Sequence, residues 1–140
     1  MTTRTAMLGA GSLFLSALIV QGQSISTAAC SEELTKSDGD NHRIRISTGV
    51  SEGMIQRRVL PDTTDLKGSK GNSTVVVRVL IDKKGAVRCA DAEQGYPSLF
   101  ERSVEAAKQW RFRPFLLNSQ PIIAETPIEF VFKKGKVKAR

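Results

Sequence analysis

The hydrophobic and polar positions between residues 74 and 133 follow strand, helix and strand periods in turn. The segment "TVVVRVLID" from Thr74 is β-branched almost throughout, which is typical of a buried strand. The following "DKKG" predicts a tight turn in which Gly85 takes a positive φ. Since "AVRCADAE" then reads as a second arm, we expect an antiparallel hairpin at the start of this region.

An amphipathic helix is predicted after the sequence "GYP". In "SLFERSVEAAKQW", Phe100, Val104 and Ala107 recur at helical spacing, so one stripe of the helix faces the sheet. Ser98 and Glu101 have the spacing of a capping box, which would start the helix at this point.

Two arginines alternate with aromatic rings where this helix ends, in "QWRFRPF". Trp110 falls on the apolar stripe, and Pro114 forces Arg113 into an extended conformation, so the helix must stop before it. We expect the rings to close the core rather than to stack on nucleic acid. The predicted core comprises Val77, Phe100, Val104, Ala107, Trp110 and Phe112.

The last strand is predicted in "PIEFVFKK". Its apolar positions Ile128, Phe130 and Phe132 alternate with Glu129, Val131 and Lys133. The element order is therefore β-β-α-β. The expected fold class is α+β, with a small antiparallel sheet and one main helix packed across it.

The first residues have the layout of a secretory signal peptide. Arg4 precedes an apolar run from Ala6 to Val20, and we expect cleavage after Gly22, which makes residues 1–22 the signal peptide. The run is shorter than the roughly 20 apolar residues that span a bilayer. The prediction is an exported, periplasmic protein, with an uncleaved membrane anchor as the alternative.

The remaining segments are assigned by composition. Residues 23–42 are rich in small polar and acidic residues and predict a disordered linker. Residues 43–72 contain short extended segments and a polar loop, and residues 73–133 form the main domain. Residues 134–140 are expected to be a basic, frayed tail, with a loose contact to anionic lipid as the alternative.

The net charge and the candidate reactive residues restrict the possible classes of function only a little. The net charge of +7 favours acidic surfaces without choosing a partner. Cys30 and Cys89 can form a disulfide in an exported protein, the alternatives being two free thiols or lipidation of Cys30. The two cysteines and His42 supply fewer ligands than the four of a structural zinc site. Because the sequence also has no nucleophile elbow or phosphate-binding loop, we predict no enzyme activity, cofactor or metal.

The segment from Gly71 to Phe132 resembles the TonB C-terminal domain of Gram-negative bacteria. The matching motifs are the strand ending in "IDKKG", the "GYP" before the helix, "AAKQWRFRP" and the "LNSQP" turn. The closing pattern T-x-I-x-F-x-F is carried by Thr126, Ile128, Phe130 and Phe132. The fold that this resemblance implies agrees with the β-β-α-β order.

The resemblance implies a periplasmic module that binds outer-membrane transporters. Members of the family accept the transporter's TonB box as a strand added beside their last strand, because an exposed edge offers unpaired N–H and C=O groups. The implied binding edge comprises Thr126, Pro127, Ile128, Glu129, Phe130, Val131, Phe132 and Lys133. Pro127 cannot donate a backbone hydrogen bond, so it either protects one position or marks where pairing begins. The alternatives are a cell-envelope adaptor and a homodimer formed through the same edge.

Overall fold

The computed structural model describes residues 43–66 and 71–140. The strands are β1 (Arg43–Arg45), β2 (Ile55–Arg57), β3 (Asn72–Ile81), β4 (Val87–Gln94), β5 (Arg111–Phe112), β6 (Leu116–Leu117), β7 (Gln120–Pro121), β8 (Ile123–Lys133) and β9 (Lys136–Ala139). The α-helices are α1 (Thr48–Glu52) and α2 (Phe100–Lys108). Short 3-10 turns occupy Thr64–Leu66 and Pro97–Leu99. The predicted signal peptide, the linker at 23–42, Cys30 and His42 lie outside the described residues.

The main sheet is built around β8. On one flank β8 pairs with β3 over ten residues, from Asn72 opposite Lys133 to Ile81 opposite Ala124, and β4 completes the β3–β4 hairpin. On the other flank β8 pairs with both β1 and β9. The α+β class is confirmed, with one main helix and one main sheet. The sheet is mixed rather than purely antiparallel, because β1 runs parallel to β8.

The turn between β3 and β4 depends on Gly85. Its φ is 87°, and the Asp82 carboxylate closes the turn by accepting the backbone N–H groups of Lys84 at 2.9 Å and Ala86 at 3.0 Å. The Gly85 carbonyl accepts the N–H of Phe112 at 2.8 Å. A side chain here would place Cβ only 1.9 Å from the Phe112 carbonyl oxygen. Glycine is therefore required both by the turn and by the close approach of β5.

The core lies between α2 and the inner face of the sheet. Val75, Val77, Val79 and Ile81 of β3 and Ile128, Phe130 and Phe132 of β8 alternate into it, as the strand period predicts. Trp110 is 1% exposed, meets Phe130 edge to face at 6.0 Å, and donates its indole N–H to the Val59 carbonyl at 2.7 Å. Of the other expected core residues, Ala107 and Phe112 are also buried, while Phe100 and Val104 are half-buried against the same cluster.

Ser98 and Glu101 do not form the predicted capping box. Pro97–Leu99 fold into a 3-10 turn, and Leu99 occupies the N-cap of α2 without a side-chain cap. Proline at the first position fixes a helical φ. Ser98 therefore already lies inside the turn, where its hydroxyl cannot cap the helix.

Candidate functional site

The outer flank of β8, on the side away from β3, is covered from both ends. At its start, β1 pairs with Ile123–Glu125, and the Ile46 N–H donates to the Glu125 carbonyl at 2.8 Å. At its end, β9 pairs antiparallel with Phe130–Lys133. Among the described residues, β8 has no strand beside Thr126–Glu129 on this flank, and Glu129 is bonded to Arg140 just beyond β9.

The edge expected to be open from Thr126 to Lys133 is thus closed over most of its length. Lys134 and Gly135, with φ of 50° and 72°, form a two-residue turn that reverses the chain directly into β9. The segment expected to be a frayed basic tail is therefore a paired edge strand. Its register with β8 runs from Lys133 opposite Lys136 to Phe130 opposite Ala139.

Pro127 lies at the centre of the remaining gap. Glu125 and Glu129 both direct backbone groups to the outer flank, where they bond to Ile46 and Arg140. By the two-residue period of a strand, Pro127 faces the same way. Because it has no N–H, it cannot continue the parallel ladder with β1, whose pairing ends at Glu125.

A buried carboxylate lies beside this gap. Glu125 is 3% exposed and accepts a 2.8 Å hydrogen bond from Arg78, with Arg43 at 3.3 Å and Arg45 at 3.5 Å. Arg78 also donates to Glu93 at 2.8 Å. Burial alone would lower the pKa of Arg78, but its bonds to Glu93 and Glu125 raise it overall. The arginines compensate the loss of hydration of Glu125 and fix β1, β3 and β8 to one another.

The cavity at the gap is small. It measures about 100 Å³ and is lined by Arg45, Ile46, Arg78, Glu125, Thr126 and Pro127. The Thr126 hydroxyl is engaged elsewhere, because it donates to the Ser51 hydroxyl of α1 at 3.0 Å. Small-molecule sites usually enclose about 300–1,000 Å³. We therefore assign this cluster to holding the sheet together rather than to binding a ligand.

β9 presents an exposed edge on this side of the sheet, as the shorter β1 does at the other end of β8. Glu129 and Arg140 exchange both backbone hydrogen bonds, at 2.8 and 3.0 Å. Since bonded pairs alternate along an antiparallel ladder, Lys138 and Lys136 also bond inward to β8, while Val137 and Ala139 point their N–H and C=O groups away from it. Within residues 43–66 and 71–140, no strand pairs with that outer edge.

A basic groove crosses the outer face of the sheet from β9 over β8 to β3. It has a volume of about 600 Å³ and is lined by Thr74, Val131, Lys133, Lys136, Lys138, Ala139 and Arg140. Arg140 is ion-paired with Glu129 at 2.7 Å. Lys133, Lys136 and Lys138 have no ion pair among the described residues. The groove is therefore strongly positive.

Sequence reasoning missed the two features that shape this flank. The period of Lys136, Val137, Lys138 and Ala139 after a Lys-Gly pair is a weak hairpin signal for β9. Glu125 carries no comparable signal, because the arginines that surround it come from β1 and β3. Its surroundings arise only from the tertiary structure.

One cysteine of the predicted disulfide, Cys89, lies in β4. Cys89 is disulfide-bonded. Cys30 lies outside the described residues, so the Cys30–Cys89 pairing stays a prediction.

In the described part of the chain, no cluster of His, Cys, Asp and Glu could hold a metal ion. The helices described there are all too short or too polar to cross a bilayer.

Comparison with known families identifies the domain. The family model described as Gram-negative bacterial TonB protein C-terminal matches residues 56–133, which is more than half of the chain. The match ends at Lys133, so β1 and β9 lie outside it. No curated protein and no solved structure matches the chain. Domains of this family are non-catalytic interaction domains of the bacterial envelope. The chain belongs to the TonB C-terminal family and has the transport-associated role of that family.

Proposed function

We propose that this domain binds an extended segment of an outer-membrane transporter, the TonB box, by adding it as a strand to the outer edge of β9. The observation that carries the proposal is the orientation of Val137 and Ala139, whose backbone groups face away from β8. Membership of the family supplies the class of partner. An extended peptide at this edge would satisfy those groups in the manner of β-augmentation.

Docking on β9 is favoured over direct docking on β8. A peptide that reached β8 would first have to displace β9, breaking its backbone bonds and exposing Val137 and Ala139, which pack against the core. The Lys134–Gly135 turn joins β9 directly to β8, so the entropic cost of closing this two-residue loop is small. β9 would therefore compete with a free peptide for the edge of β8 at a high effective concentration. Addition outside β9 avoids this competition.

The charge of β9 disfavours the homodimer alternative. If two copies paired antiparallel through β9, Lys136 and Lys138 of one copy would face the same residues of the other on one side of the sheet. Like charges directly opposite each other destabilise a strand pair. A partner of different sequence fits this edge better.

Nuclear magnetic resonance of the ¹⁵N-labelled protein titrated with synthetic TonB-box peptides tests the proposal. We expect chemical-shift changes centred on Val137 and Ala139 and slower exchange of their amide protons, since both amides become hydrogen-bonded. A peptide with N-methyl groups at alternate residues is the control, because it cannot form the ladder. An absence of shifts at millimolar peptide would contradict the proposal. Loss of the β9 signals together with protection along Glu129–Lys133 would show displacement instead.

A further inference from the structure

We propose that the strand accepted by β9 carries acidic side chains at alternate positions, selected by the lysines of β9, and this rests on the proposed function. Lys136, Lys138 and Arg140 share the outer face of the sheet. Any strand added beside β9, in either direction, presents every second side chain on that same face. The side chains that meet the lysines are therefore fixed by the strand period.

The pairing geometry brings those side chains close. A strand added antiparallel to β9 would bond to Val137 and Ala139, which leaves Lys136 and Lys138 in the non-bonded pairs of the ladder. Cα atoms in such pairs are about 4.5 Å apart, compared with about 5.5 Å in bonded pairs. A carboxylate opposite Lys136 or Lys138 would thus lie within reach of its ammonium group.

The lysines are also available for such a partner. Arg140 is held by Glu129, whereas Lys133, Lys136 and Lys138 form no ion pair among the described residues. These three lysines line the groove of about 600 Å³, whose other lining residues include Thr74 and Val131. An acidic side chain entering the groove would meet several cations and no free carboxylate among its lining residues.

Lysine on an edge strand has a second consequence. It discourages indiscriminate pairing, because apolar or basic strands would have to bury or oppose the charge. The same charge leaves acidic strands as compatible partners, so the edge excludes apolar and basic strands and selects acidic ones. This distinguishes the surface from an apolar edge that would accept any extended segment.

Three synthetic peptides of identical strand pattern test the inference, with Glu, Gln or Lys at every second position. The Glu peptide should bind about tenfold more tightly than the Gln peptide, and the difference should shrink as salt is raised. The double variant K136E/K138E should reverse the order and prefer the Lys peptide. The variant K83E/K84E makes the same charge change in the exposed β3–β4 turn and should keep the wild-type order.

The possible results separate strand addition from charge selection. If the Glu and Gln peptides bind equally while Val137 and Ala139 become protected, the charge inference is overturned and strand addition stands. If no peptide binds at millimolar concentration, both fail. If anionic phospholipid vesicles bind in a way that K136E/K138E abolishes, and the Glu peptide does not bind, the groove is a lipid contact and the inference is wrong. Thermal unfolding of both double variants checks that they are folded.

Discussion

Glu129 and Arg140 are joined by both their backbones and their side chains. Their backbones exchange hydrogen bonds of 2.8 and 3.0 Å, and the Glu129 carboxylate lies 2.7 Å from the guanidinium of Arg140. This double contact fixes the register of β9. A slip by one residue would turn Lys136 and Lys138 towards the core and Val137 towards solvent. The register therefore decides which groups of β9 face a partner.

Gly85→Ala should destabilise the domain strongly. Its φ of 87° disfavours any side chain, and the added Cβ would lie 1.9 Å from the Phe112 carbonyl oxygen, so β5 would have to move away from the turn. We expect a loss of about 2–4 kcal/mol in the free energy of unfolding, measured by urea titration. Gly71→Ala is the matched control, because its Cβ would meet nothing within 4 Å. A Gly85→Ala protein as stable as that control would contradict the close approach.

Trp110→Phe tests the role of the buried indole. The change removes the 2.7 Å hydrogen bond to the Val59 carbonyl and leaves space beside Phe130. We expect a loss of about 2–3 kcal/mol in the free energy of unfolding, since an acceptor is left unsatisfied and a cavity is created. Tyr96→Phe, at a residue that is 64% exposed, should change stability by less than about 0.5 kcal/mol. Equal effects of the two changes would argue against a structural role for Trp110.

The ion pair with Arg102 should make the Asp65 carboxyl group titrate below the ordinary pH range of an aspartate. Arg102 donates two hydrogen bonds to the Asp65 carboxylate, at 2.6 and 2.8 Å, and these bonds lower the pKa of Asp65 from its ordinary value of 3.8. A lowered folded pKa stabilises the protein above pH 3.8, and the contribution is lost as pH falls through the folded pKa. The pKa of Asp65 can be measured directly from the ¹³C chemical shift of its carboxyl group as a function of pH.

The variant Arg102→Gln tests whether Arg102 causes the lowered pKa of Asp65, with the nearby Asp62 as the internal control. The pKa of Asp65 should rise towards 3.8, because its main hydrogen-bond donor is gone. The pKa of Asp62 should stay low, since the Thr64 hydroxyl and amide are the main causes of its shift. If the pKa of Asp65 does not move, the ion pair does not form in solution.

The local periods of the sequence predicted the centre of this fold. The alternation at Ile128, Phe130 and Phe132 and the helical spacing up to Trp110 are short-range signals. The structure buries these apolar positions, with Phe100 and Val104 half-buried. The Asn118–Ser119 turn, with φ of 50° and 63°, also follows from local residue preferences. Such features depend on neighbours in the sequence, so a single chain reveals them.

The candidate site was predicted less well, because it depends on what covers an edge. The family resemblance places the binding edge on β8, but β9 lies outside the matched residues and occupies that flank. The Lys134–Gly135 turn carries Lys where Asn or Asp would give a stronger hairpin signal. β1 is only three residues long, and Pro127, which ends its pairing, and the Glu125–Arg78 pair beside it come together with β1 only in the folded chain.

Substitution of Ala139 by proline tests the central claim most directly. The N–H of Ala139 faces away from β8, so proline should leave the β8–β9 pairing in place and change Tm by no more than about 2 °C, while it removes a donor that a docked strand needs. Ala139→Ser, which keeps the N–H, is the control. Isothermal titration calorimetry with the TonB-box peptide should show at least about tenfold weaker binding for Ala139→Pro and unchanged binding for Ala139→Ser. Binding that is unchanged or tighter in Ala139→Pro would contradict docking on β9.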